Sequence, residues 1–389
     1  MPCNLLKATL LLGLLAISAV SCRKEAIPSM NIIKESPIGW DTKESCLVVY
    51  SKGSSTDTLK AAIKCRGGMS SRYDKHSFSL ELGKKYKFHN LPYDDDWVLN
   101  ANYIDKTFMR HKICYDLFRE MNPANVASPC SYVNLNINDN YAGLYVIMQE
   151  INAKSAELDK KDPRSMLFKD PPVFYKERLK NVQDSLNYYQ QKFPKIHDKD
   201  QTEYIERFKD FLFNSSDSEF INGISKWIDI KNVIDWHLLL LFTNNSDGIM
   251  KNFYLYKKDE ATPFRIAIWD YDHSFGRDGD NELNLNNELN FERSILLKRL
   301  MNIAGSVYPE RLKNRWKELR KKNIISLENF KSHVNRNDEI IKKVITRNFK
   351  KWPVDDKWYY DANSYDQEIE LMICFVEQRI RYLDGFFEM

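Results

Sequence analysis

A chain of 389 residues with 43% hydrophobic and 29% charged side chains carries enough apolar material for a sizeable core, which excludes wholesale disorder. Thirteen Gly and thirteen Pro exclude a collagen-like or linker-dominated chain. Lys plus Arg exceed Asp plus Glu by only 58 to 54, so no whole-molecule field argues for a nucleic-acid partner.

The amino terminus reads as an export signal. Lys7 precedes an apolar run from Ala8 to Val20 that is too short to span about 30 Å of hydrocarbon as a helix, and charged Arg23-Lys24-Glu25 follows. Ala19-Val20-Ser21 ahead of Cys22 resembles a bacterial lipobox, which would make 1–21 a removable lipoprotein signal and place a lipid on the Cys22 thiol. The chain is therefore expected to be exported and held to a cell-envelope membrane through that anchor. Cys46, Cys65, Cys114, Cys130 and Cys374 remain, an odd number without C-x-x-C spacing. That pattern excludes the common zinc frameworks and favours buried thiols.

Residues 22–42, with Pro28, Pro37 and Gly39 and no sustained periodicity, are expected to be a tether. Short β-rich or alternating runs at 46–50, 62–65, 76–82 and 97–100 predict strands. Over 108–121, Ile113, Leu117 and Met121 recur at spacings of four and Pro123 follows, which predicts an amphipathic helix. Residues 132–138 alternate, Asp139-Asn140 supplies a turn, and 141–150 returns as the hairpin partner. A strand-rich N-terminal lobe with one helix is thus expected over 43–152.

The remainder, 153–389, is expected to be a mainly helical C-terminal lobe, although 155–200 has no readable periodicity. The apolar run 230–242 behind Asp229 predicts a capped, buried helix, and 252–256 with 264–269 predicts a strand pair. Helices dominate from Ser294 onward. The basic run 311–322 carries Leu312, Trp316 and Leu319 at helical spacing and reads as a solvated amphipathic face. The fold class is α+β.

Chemistry concentrates between 244 and 276. Asp247 and Asn252 stand five apart, the D-x-x-x-x-N spacing of a protein-kinase catalytic loop, in which the Asp accepts or orients a hydroxyl proton and the Asn binds Mg²⁺. A predicted hairpin then delivers Asp270 at a strand end, where that plan places a second metal-binding carboxylate. Asp272 either supports it or supplies a further metal ligand, and His273 is expected to pack or hydrogen-bond locally. A calcium loop is excluded because neither the run from Asp270 nor that from Asp278 has Gly at its sixth position. No phosphate-binding G-x-x-x-x-G-K-[ST] or G-x-G-x-x-G occurs, so phosphate must be held otherwise. The turn from Arg66 through Gly67, Gly68, Ser70 and Ser71 to Lys75 offers backbone N–H groups, hydroxyls and two cations.

In four ordered blocks these residues resemble the spore coat protein H-like (CotH) kinases, secreted atypical protein kinases. The blocks are the Arg66, Gly67, Ser70, Lys75 turn; 99–110 with Asp105 and Arg110; the hairpin from Asn138 to Glu150; and Asp247, Asn252 and Trp269 to Gly276. The resemblance implies an atypical protein-kinase-like two-lobed fold with ATP and Mg²⁺ or Mn²⁺ in the cleft. It also implies Asp247 as catalytic base or hydroxyl orienter, Asn252 and Asp270 as metal ligands, Lys75 as a phosphate contact and Glu150 near the nucleotide. The partner would be a secreted or surface protein substrate. Two other readings fit the same residues: a non-catalytic surface lipoprotein that keeps the kinase shape, and a glycan-binding lipoprotein.

Overall fold

The computed structural model describes residues 27–175, 187–279, 282–285, 288–354 and 362–389. The expected signal segment 1–21 and the expected lipidation site Cys22 lie outside these residues. Among the described residues no helix is long and apolar enough to cross a membrane.

Seven strands close into a barrel: β1 (Ser29–Ile33), β2 (Glu44–Lys52), β3 (Ser55–Arg66), β4 (Ser77–Tyr86), β5 (Asp94–Asn100), β6 (Cys130–Ile137) and β7 (Asn140–Gln149), in the order β1-β2-β3-β4-β5-β7-β6. Helix α1 (Arg110–Met121) lies between β5 and β6 in the chain, close to its expected bounds. Period-two alternation builds the interior. In β2 the pleat turns Cys46, Val48 and Tyr50 inward and leaves Leu47 exposed, although the run looks uniformly apolar. The strand β1 corrects the expected tether. It pairs antiparallel with β2 and parallel with β6, Met30 opposite Leu135, and buries Met30 and Ile32. Without it β2 and β6 would present open edges. The hairpin turn sits on Asn138 and Asp139, both at positive φ (49° and 63°), one residue earlier than expected and in the manner of a two-residue primed turn.

The strand β7 is buried on both faces, which explains its unbroken apolar run. Ala142, Tyr145 and Ile147 fill the barrel, whereas Leu144, Val146 and Met148 join a second core with α1 and the C-terminal helices. Gly143 has φ +131°, and a Cβ there would come within 2.9 Å of Asn348 Oδ1 and of Lys75 Cε. Gly143→Ala should therefore lower stability by about 1–3 kcal/mol. A urea midpoint equal to that of the parent would show that these neighbours yield freely.

The second core covers an antiparallel sheet of order β11-β10-β8-β9, formed by β8 (Met166–Lys169), β9 (Gln191–Phe193), β10 (Phe253–Lys257) and β11 (Arg265–Ile268). Around it pack α2 (Thr202–Asn214), α3 (Asp217–Trp227), α4 (Ile230–Thr243), α5 (Ile295–Asn302), α6 (Tyr308–Lys321), α7 (Leu327–Ile341), α8 (Ile345–Lys351) and α9 (Tyr365–Phe386). The molecule is thus α+β, as expected, with a strand-rich part and a helix-rich part that each have a core. Asp229 caps α4 by accepting from the Lys231 and Asn232 amides at 2.9 and 3.3 Å. On α6, Leu312, Trp316 and Leu319 point inward, while Arg315 and Arg320 reach Asp235 and Asp384. Among the described residues the cysteines Cys46, Cys65, Cys114, Cys130 and Cys374 are unpaired, and of these only Cys374 is exposed.

His237 on α4 is wholly buried against Tyr308, and burial depresses its pKa from 6.5 to about 3. Because the folded state prefers the neutral ring, its contribution is complete above about pH 6.5 and is lost as pH falls below that value, by about 2 kcal/mol at pH 5. His237→Phe should flatten the decline in stability between pH 7 and pH 5 by that amount. Parallel declines in the two proteins would refute a buried neutral ring.

Candidate active site

The site is assembled from three chain segments. The first is the turn after β3. Arg66 lies over the Trp269 ring at 5.4 Å, and Gly67, at φ +140°, allows an approach that a Cβ would block at 2.5 Å from Ser70 Oγ. Arg66, Gly67, Gly68 and Ser70 line a cleft of about 430 Å³ together with Lys169, His111, Trp269 and Asp270. The cleft is polar, and Arg66 and Lys169 both line it near the Trp269 ring, a cationic lining that suits an anion.

The second segment is the end of α4 and the loop after it. The helix stops on Asn244 in the left-handed region, φ 55°, and Asp247 opens a short 3-10 turn. Gly248 packs where a Cβ would lie 2.6 Å from Leu240, so the loop is pressed onto the helix it leaves. Asp247 Oδ2 is 2.9 Å from Lys251 Nζ and 3.3 Å from His273 Nδ1. Burial alone would raise its pKa, but His273 and Lys251 more than reverse this, so Asp247 is a carboxylate at neutral pH.

The third segment is the strand end after β11. Asn252 and Asp270 both take positive φ, 64° and 58°, as Asn and Asp tolerate better than other side chains. The Trp269 amide donates to the Asn252 carbonyl at 3.0 Å, and Asn252 Nδ2 donates to the Asp270 carbonyl at 3.2 Å. The hairpin thereby sets the two predicted metal ligands side by side. Asp270 lies on the cleft floor with its side chain 52% exposed, and its Oδ1 is 3.1 Å from His111 Nε2. Crowding by protein disfavours the Asp270 charge, yet His111, then His273 and Lys169, hold the carboxyl well below the usual range. Burial likewise opposes charge on His273, but Asp272, Asp247 and Asp270 outweigh it and push its pKa up to about 9.

Asp247, Asn252, Asp270 and Asp272 are thus brought into one neighbourhood, with His273 bridging its two ends: Nδ1 faces Asp247, and Nε2 stands 4.0 Å from Asp272 Oδ1. Ligand atoms of His111, Asp270 and Asp272 all fall within 4.8 Å of one another. This mixed set of two carboxylates and an imidazole, beside the Asn252 carboxamide, fits a divalent ion.

Two expected residues stand elsewhere. Lys75 is 1% exposed and donates to the carbonyls of Ala101 and Leu144 at 2.7 and 2.5 Å, with the Phe108 and Tyr145 rings 4.7 and 4.4 Å from Nζ. Burial drives its pKa well down. Its ammonium group is thus turned to backbone carbonyls and Lys75 does not line the cleft, whereas Lys169 does. Glu150 follows β7, its amide donates to the Asp96 carbonyl at 3.1 Å, and it does not line the cleft.

Three contributors escaped the sequence reading. Lys169 and Asp170, whose Oδ1 accepts from the Phe253 amide at 3.1 Å, lie in the unreadable stretch 155–200, where β8 is only four residues long. His111 is 2% exposed, and its only signal was its place directly after Arg110 in a helix otherwise read for its apolar face. Asp105 and Arg110, which the 99–110 segment brings to the start of α1, pair at 2.6 Å.

A family model described as CotH kinase protein matches residues 63–383. The chain is also 23% identical over 234 residues to the inner spore coat protein H of Bacillus subtilis (strain 168), an alignment that covers 57% of this chain. It spans 60% of the length of that curated relative. The family match takes in the Arg66 turn, α1 and the whole stretch from Asp247 to Asp278, and by its extent the chain belongs to the CotH kinase protein family.

Proposed function

We propose that this chain is an exported protein kinase, anchored to a membrane through Cys22, that transfers the γ-phosphoryl group of ATP to a hydroxyl of a secreted or surface protein. The observation that carries the reading is the convergence of Asp247, Asn252, Asp270 and Asp272 around His273, next to a cleft with Arg66, Ser70 and Lys169 on its walls. In the kinase plan the lobe junction is the line where the barrel meets the helix-rich part.

Asp270, Asp272 and Asn252 would hold Mg²⁺ or Mn²⁺, which when bound would supply positive charge to neutralise the phosphates. Arg66 and Lys169 offset the remaining polyphosphate charge, and the Gly67-Gly68 turn brings backbone N–H groups close. Asp247, ionised at neutral pH, accepts the proton of the incoming hydroxyl as its oxygen bonds to the γ-phosphorus and the bond to the β-phosphate oxygen breaks.

The burial of Lys75 favours a second reading, a nucleotide-holding scaffold without transfer. Incubation of the mature protein with γ-labelled ATP, Mg²⁺ or Mn²⁺ and an exported protein extract separates the two. Label on protein supports the kinase, whereas nucleotide binding with no label supports the scaffold.

A further inference from the structure

The D-x-D loop offers oxygen atoms only, a donor set that serves Mg²⁺ and Mn²⁺ alike. The remaining wall of the cluster comes from α1 and is different in kind. His111, the second residue of that helix, is buried, and its Nε2 is 3.1 Å from Asp270 Oδ1. Its Nδ1 is buried without a hydrogen-bond partner among the described residues, so the polar capacity of the ring is directed through Nε2. Both sides of the contact are fixed in place. Arg110, just before His111, is locked by Asp105 and Glu368 and donates through Nε to the Ser274 carbonyl at 3.0 Å. One turn on, the Tyr115 hydroxyl accepts from the Asp270 amide at 2.8 Å. An imidazole held on a helix against a carboxylate whose own backbone is pinned to the same helix is a pre-aligned donor pair.

We propose that His111 is a nitrogen ligand that completes Asp270 and Asp272 into a three-point divalent-metal site, and that this nitrogen makes the site select Mn²⁺ over Mg²⁺. Donors around a six-coordinate ion stand about 3 Å apart when adjacent and about 4.3 Å apart when opposite, so a set already within 4.8 Å closes with small side-chain rotations. Mg²⁺ prefers oxygen and keeps its waters, whereas imidazole suits first-row transition ions, which bind mixed nitrogen and oxygen sites more tightly. The inference rests on the kinase reading in taking this cluster as the seat of the ion, and it adds which ion the seat prefers.

The test uses Mn²⁺ alone, without nucleotide, on the mature chain. Pulsed electron paramagnetic resonance should show ¹⁴N coupling to bound Mn²⁺ in the parent protein, a measurement that needs no variant. The coupling should vanish in His111→Asn and persist in His273→Asn, whose imidazole is the other nitrogen nearby. Titration should give tighter binding of Mn²⁺ than of Mg²⁺, and His111→Asn should weaken Mn²⁺ binding about 10-fold or more while moving Mg²⁺ binding much less. Bound Mn²⁺ with no nitrogen coupling, coupling that disappears only in His273→Asn, or equal affinities for the two ions would each overturn the proposal. If the parent protein still labels substrate in those cases, the kinase reading stands without it. Failure to bind either ion, with no transfer, removes both.

Discussion

Asp247→Asn should reduce phosphoryl transfer by roughly 10²–10⁴-fold while leaving ATP binding nearly unchanged. The substitution keeps the size and most of the hydrogen-bonding capacity of the side chain, so the 3-10 turn and the packing of Gly248 on Leu240 should survive. What it removes is the carboxylate that His273 and Lys251 keep ionised. Asp270→Ala should behave differently. That side chain faces the cleft beside His111, so its loss should weaken metal-dependent nucleotide binding as well as turnover. Thermal shifts on adding Mg-ATP or Mn-ATP, read beside turnover, distinguish the two roles. Identical shifts in the parent and in both variants would refute this division of labour.

Arg110→Met is expected to cost about 3–5 kcal/mol of folding stability, among the largest losses available to a single substitution here. The guanidinium is 1% exposed and pairs with Asp105 at 2.6 Å and Glu368 at 2.9 Å. Glu368 is shared with Arg277, while Asp105 also accepts from the Thr107 hydroxyl at 2.6 Å. Burial alone would raise the pKa of Glu368, yet Arg277 and Arg110 hold it at about 2. Removing Arg110 strands buried negative charge that water cannot reach. The network joins α1, the loop after Asp270 and the carboxy-terminal helix α9, so the variant should also lose metal affinity. Guanidinium denaturation gives the cost directly, and a loss below about 1 kcal/mol would show that the network is dispensable.

Local physics made much of this chain legible. Strands whose residues alternate, a helix with one apolar face and a helix capped by Asp229 are encoded by neighbours a few positions apart, and they fall close to where periodicity predicts. Asp247, Asn252 and Asp270 were legible for a related reason. The spacing across one hairpin is itself local, and the Trp269 to Asn252 hydrogen bond then sets Asn252 beside Asp270.

Contacts distant in sequence decided the rest. The five residues of β1 carry too little pattern to announce a strand, and they become one by pairing with β2 on one side and with β6, a hundred positions away, on the other. Lys75 sits in a turn that reads as an anion cradle, but the carbonyls of Ala101 and Leu144, delivered by other parts of the fold, draw its ammonium group inward. His111 meets Asp270 across 159 positions, and Lys169 reaches the cleft on a strand that exists through pairing with β10. Sequence alone determined the strands with clear alternation, the helices with an apolar face and which hairpin would carry the acidic groups, because those follow from short-range geometry. Only the tertiary structure decided which cations face the cleft and which nitrogen faces the Asp270 carboxylate, because desolvation and long-range hydrogen bonding select among side chains that look equivalent along the chain.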